Sequence, residues 1–250
     1  MLEHFKGEEV FVKKVLDYKE QVEYKQRLIL TPFLDPYHQS IVRSVIGNSI
    51  QIVDNGGFIQ SESKRMIIAP DYYEIVEEDF NLVVCKIVYA KNFEKITHRD
   101  VLGALMSLQI KRELFGDIVE KDGDFYVALD SKIYEYLKNE LTSIKRSKVK
   151  LSLCNDKIEV KNDYLIKSFI VSSFRLDKVI SSFYNISRAK AADFIRAGHV
   201  KVNHKPVEQI NYLCNNKDII SFKKHGRVMF VDLHKQTRSN NYVVEGYFYK

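Results

Sequence analysis

Arginines spaced along one helix can hold phosphate, and the stretch from Phe174 to Pro206 concentrates them. It carries seven Lys or Arg residues (Arg175, Lys178, Arg188, Lys190, Arg196, Lys201 and Lys205) against two acids, Asp177 and Asp193. Arg188, Ala192 and Arg196 stand four apart, which puts two guanidinium groups on one side of a helix around a small alanine. Guanidinium forks pair with phosphate oxygens, so such a face suits a nucleic-acid backbone. The ordinary alternative is a solvated basic face. Helical rise and turn set Arg188 and Arg196 about 12 Å apart along the axis and roughly 80° apart around it. That suits phosphates across a groove, with Arg175 expected to join from the preceding helix.

The elements that must position these side chains are readable. Leu176, Val179, Ile180 and Phe183 recur at helical spacing and form one apolar face. Asn185 breaks the pattern, and Ser187 is placed to cap a second helix over Arg188 to Ala197. Ala191, Phe194 and Ile195 give that helix a narrow buried stripe, and Gly198 supplies a left-handed end. Val200 and Val202 alternate with Lys201 and Asn203, so a half-buried strand follows.

Other chemistry finds little footing. His98, Arg99 and Asp100 are consecutive, so on a helix they diverge; a capping and surface role is expected. His199 and His204 lack the spacing of a metal site. No phosphate-binding glycine loop of the nucleotide-binding kinds occurs. Cys85, Cys154 and Cys214 are odd in number and far apart, which suggests neither disulfides nor zinc. No catalytic residue, metal or cofactor is expected.

The 250 residues are 45% hydrophobic and 29% charged, an ordinary globular composition. No apolar run approaches the ~20 residues of a membrane span, and the N-terminal residues lack the form of a signal peptide. A cytoplasmic chain without membrane contact is expected. Charge is uneven. Residues 1–173 hold 25 Lys/Arg and 27 Asp/Glu, whereas residues 174–238 hold 13 against 5, a net of +8. The positive field that draws a polyanion therefore belongs to the C-terminal part.

The fold class expected is α+β, in three parts. Residues 1–80 read as an N-terminal α+β unit: a helix-rich stretch from Glu8 to Leu30, a second helix introduced by Leu34-Asp35-Pro36 through Ile46 and ended by Gly47, then a strand leading to an Asn55-Gly56-Gly57 hairpin turn. Ser61 to Arg65, polar and partly basic, could touch phosphate but is expected as a solvated loop before a strand at Met66 to Ala69. Residues 81–168 show strand, helix, two strands, helix, strand, the βαββαβ order of a ferredoxin/RRM-like plait. Phe125 and Tyr126 could stack bases there, but core packing is expected for at least one. Residues 169–250 form the C-terminal domain.

Arg175-Leu176-Asp177, then Ser187-Arg188 with Ala191, Ile195 and Gly198, then Val200-Lys201-Val202-Asn203 and Asp218-Ile219-Ile220, resemble the S4 (αL-motif) RNA-binding domain. His204 and Lys217 stand where that family usually has Gly. Thr97 to Met106, Phe115-Gly116-Asp117-Ile118, Gly56-Gly57 and Gly226-Arg227 extend the likeness over nearly the whole chain, which resembles the YlmH family of bacterial S4-domain proteins. Gln109 and Ser63 depart from that pattern.

The resemblance implies RNA contacts from Arg175, Lys178, Ser187, Arg188, Lys190, Arg196, Lys201, Asn203, Lys205 and Arg227. It implies a non-catalytic monomer that binds ribosomal RNA of the large subunit, near peptidyl-tRNA, in translation or ribosome-associated quality control. Two alternatives compete with this reading. Pseudouridine synthases use an Asp in an Arg-Leu-Asp motif, but only 73 residues follow Asp177 and the RNA-binding fold needs them. Asp177 is expected instead to cap its helix or orient Arg175. A protein-interaction scaffold, docking through the N-terminal part, is compatible with RNA binding.

Overall fold

Two helices on a small sheet open the chain. The computed structural model describes residues 5, 7–91, 94–160 and 163–249. Helices α1 (Glu9–Lys25) and α2 (Pro36–Ile46) bury valines and isoleucines against Met66 and Ile68. Asp35 caps α2 by accepting the His38 amide, with Pro36 in the first turn, and Gly47 at φ +73° ends the helix. The antiparallel sheet runs in the order β1 (Ile29–Leu30), β3 (Arg65–Ala69), β2 (Gln51–Asn55).

The hairpin signal resolves differently from expectation. Asn55 pairs with Arg65, so residues 56–64 form a long connection rather than a tight turn. Nor is Ser61–Arg65 a solvated loop, for Ser61, Ser63 and Arg65 are all buried. Asp117 explains the inward fold: its carboxylate accepts the Glu62 amide at 2.7 Å and the Ser63 amide at 3.2 Å. Arg65 donates to the carbonyls of Thr31 and Asn81 and pairs with Asp130. Burial still outweighs these bonds: it pushes the Asp117 carboxyl above its ordinary value and the Arg65 guanidinium below its own. Gly116 lets Phe33 close over the sheet, since a Cβ there would lie 2.7 Å from the ring.

The plait forms as expected. It comprises β4 (Leu82–Tyr89), α3 (His98–Ser107), β5 (Phe115–Lys121), β6 (Asp124–Asp130), α4 (Tyr134–Glu140), β7 (Ser143–Ile144) and β8 (Ser147–Leu153). Strand order β5-β6-β4-β8-β7 is antiparallel throughout, with β7 an added edge. Thr97 and Asp100 form a capping box at the start of α3. Bonds from Lys145 and Thr97 hold the Asp100 carboxyl down at about 2. Phe125 is core, while Lys86 lies over the half-buried Tyr126 ring.

Residues 1–160 form one compact unit and residues 161–250 another. The second contains β9 (Tyr164–Val171), α5 (Leu176–Tyr184), α6 (Arg188–Arg196), β10 (Val200–Val202), β11 (Lys205–Pro206), β12 (Ile219–Phe222), β13 (Gly226–Gln236) and β14 (Tyr242–Tyr249). Its antiparallel sheet has the order β11-β10-β12-β13-β14-β9, so β9 runs across the 168/169 division read from sequence. Leu176, Ile180, Phe183 and Ile195 of the helices pack on Val200, Phe222, Val228, Phe230 and Val244 of the sheet. Among the described residues, no helix is long and apolar enough to cross a membrane.

Candidate nucleic-acid interface

The α5–α6 turn brings two arginines together. Asn185, at φ +50°, ends α5 in the left-handed conformation. Ser187 then caps α6 by accepting the Lys190 amide. Ser181 Oγ donates to the Ile186 carbonyl at 2.7 Å and fixes the corner between them. Arg188 at the start of α6 thereby meets Asp177 in the first turn of α5. Arg188 Nε donates to Asp177 Oδ2 at 2.7 Å, and Arg175 donates through Nε and Nη2 at 3.0 and 3.2 Å.

Asp177 is buried, whereas the Arg175 and Arg188 side chains are 32% and 54% exposed. Each guanidinium has five N–H donors, and Asp177 takes only part of them. The outward edges are thus aimed by a carboxylate beneath. Burial pushes the Asp177 carboxyl up, but the bonds from Arg175 and Arg188 override this and hold it below its ordinary value. Backbone pairing holds Arg175 as well, because Leu176 N donates to Tyr212 O and Cys214 N to Phe174 O. Of the two roles expected for Asp177, orientation of Arg175 is what the structure shows. No side chain caps α5.

Arg188 groups with Arg175, while Arg196 sits at the far end of α6 and bonds exposed Asp193 at 3.3 Å. Ala192 between them is buried rather than an open patch. Lys178 is half-buried and Lys190 and Lys205 are exposed. Ser187 uses its hydroxyl on the helix cap. Asn203 uses its side chain on a turn, donating to Asp218 Oδ1 at 2.7 Å and accepting from Ile219 N at 2.9 Å. Lys201, flanked by inward Val200 and Val202, lies on the sheet face away from the helices. Arg227 stacks over Tyr249 at 4.4 Å. His204 and Lys217 have φ of +67° and +70°, the region that glycine adopts without strain. Among the described residues no group of three His, Cys, Asp or Glu could hold a metal.

A two-helix layer on an antiparallel sheet, with basic side chains aimed from the inter-helix corner, defines an S4-type RNA-binding domain. Residues 174–220 match the family model described as the S4 domain. Residues 7–73 match "YlmH, N-terminal" and residues 76–157 match "Putative RNA-binding domain in YlmH". The chain is 33% identical to "Ribosome-associated protein quality control protein P2" of Bacillus subtilis (strain 168), over 97% of this chain and 96% of that one. It therefore belongs to the YlmH family. The solved structure of "Cell division protein ylmH from Streptococcus pneumoniae" is similar with a TM-score of 0.52 and 27% identity, covering 60% of this chain and 92% of that one.

Proposed function

We propose that this chain is a cytoplasmic, non-catalytic RNA-binding protein that acts as a monomer on the ribosome in translation quality control. It grips ribosomal RNA of the large subunit and peptidyl-tRNA. The observation that carries the reading is the pair of half-exposed guanidiniums, Arg175 and Arg188, seated on buried Asp177. They belong to a unit, residues 161–250, with 16 Lys/Arg against 7 Asp/Glu. The name of the Bacillus subtilis relative, similar along nearly its whole length, supports the ribosomal setting. Lys178, Lys190, Arg196 and Lys205 add exposed or half-exposed charge around the pair. Residues 1–80 and 81–168 set where the protein docks, and residues 169–250 supply most of the affinity.

The same geometry weighs against base modification by Asp177. Its carboxylate is 2% exposed and bonded to two arginines, so a uridine would have to displace them to reach it. The test is a salt titration of the full chain against structured ribosomal RNA. Neutralising about six phosphates predicts a slope of log affinity on log salt of about −5. Binding that ignores salt would sink the proposal.

A further inference from the structure

The six-stranded sheet has a second face. Helices α5 and α6 cover the side that carries Val228, Phe230 and Val244, and alternation sends the neighbours of these residues to the other side. Along β13, β14 and β9 those neighbours are mixed: Val231, Glu245 and Ser168 form one cross-strand row, with Glu245 bonded to Tyr247, and the rows beside it are apolar and aromatic. Met229 pairs with Tyr247, Tyr247 with Ile166, and Tyr249 with Tyr164. Tyr164 meets Tyr247 and Tyr249 at steep ring angles, with centroids 5.7 and 5.0 Å away. The Arg227 guanidinium lies 4.4 Å from the Tyr249 ring centroid. On the β10 side the row continues through Ser221 to Lys201. Ile166, in the same strand as Tyr164, is 50% exposed. Strands β13, β14 and β9 lie outside the segment matched to the S4 domain.

We propose that this face is a second RNA-contact surface, which stacks unpaired bases on Tyr247 and Tyr164 and meets their phosphates with Arg227 and Lys201. An aromatic patch with Arg227 and Lys201 on the side away from Glu245 matches a nucleotide in both its parts, the flat base and the charged backbone. The tyrosines meet edge to face rather than stacked on one another. An added peptide strand would use the apolar groups but gain nothing from the cations, and the positive charge of the unit favours a polyanion. The inference rests on this unit being the RNA-binding one. The helix face then holds the backbone of folded RNA, and the sheet face holds a single-stranded segment.

The test uses the full chain, a fluorescein-labelled oligouridine decamer and a labelled RNA hairpin. Loss of one stacking ring should weaken the decamer by about tenfold or more. Tyr247→Ala is expected to do so while leaving the hairpin unchanged, and Tyr247→Phe is expected to bind like wild type because it keeps the ring. Arg188→Ala should show the reverse preference. Should Tyr247→Ala melt early, Tyr164→Leu keeps apolar volume without a ring and is expected to give the same decamer-specific loss. A folded Tyr247→Ala or Tyr164→Leu protein that binds the decamer normally overturns the proposal. So does a wild-type chain that ignores the decamer, or a sheet variant that loses a protein partner while keeping the decamer. Failure of the helix-face reading shows separately, as an Arg188→Ala variant that still binds the hairpin normally.

Discussion

Replacing Asp177 with Asn keeps the shape of the side chain and removes the charge on which Arg175 and Arg188 sit. The carboxylate accepts three hydrogen bonds between 2.7 and 3.2 Å while only 2% exposed. Charge-assisted bonds contribute about 1.5–3 kcal/mol each, but both guanidiniums are part-exposed and regain water when released, which discounts the sum. A loss of about 2 kcal/mol of stability at neutral pH is expected. The sign with pH follows from the depressed carboxyl. Its stabilisation is complete above the unfolded value of about 3.9 and fades as pH falls through the folded value. The gap between wild type and variant should therefore hold steady at neutral pH and close in acid below about pH 4. Urea unfolding at pH 7 and in acid measures it, alongside RNA titration at pH 7. With the arginines no longer aimed, RNA affinity should fall about tenfold, or 1.4 kcal/mol. A folded variant with wild-type stability at pH 7, or with undiminished RNA binding, refutes the reasoning.

Other outcomes follow from the same geometry. Arg188→Ala should cost on the order of 1–3 kcal/mol in RNA affinity, with Arg188→Lys recovering only part because it lacks the planar fork; side-by-side binding and melting curves check both. Lys217→Gly, relieving a φ of +70°, should stabilise by up to about 1 kcal/mol in thermal melts. Gly116→Ala should destabilise by about 1–3 kcal/mol, because the new Cβ meets the Phe33 ring at 2.7 Å; urea unfolding reads it. The hydrogen bond to Asp35 raises the His38 pKa, against burial and with help from Glu8. That contribution is complete below about pH 6.5 and fades as pH rises through the folded value. The melting advantage over His38→Gln should therefore be larger at pH 6 than at pH 8.5.

The C-terminal helices were legible because their determinants are local: an apolar face at helical spacing, Ser187 as a cap, Asn185 and Gly198 as left-handed ends. The plait was legible from element order alone. Three features were not, and all depend on contacts distant in sequence. Asp177 meets Arg188 across a helix corner, which no single-helix spacing reveals. The 56–64 connection folds inward because Asp117, 55 residues from Glu62, accepts its amide. Strand β9 completes a sheet with β14, more than 70 residues later, and only that pairing assembles Tyr164, Tyr247 and Tyr249. Alternation of Tyr247, Phe248 and Tyr249 around inward Phe248 was the available signal for the sheet face. Ser187 and Asn203 match the S4 motif by residue type, yet their side chains build the cap and the turn.

Crosslinking the protein to RNA in living cells and mapping the joined nucleotides bears most directly on the central claim. A confined set of sites in large-subunit ribosomal RNA is expected, with contacts to tRNA, strongly reduced by Arg188→Ala and by Asp177→Asn. Crosslinks scattered over messenger RNA, or ribosomal crosslinks that both variants leave intact, would contradict it.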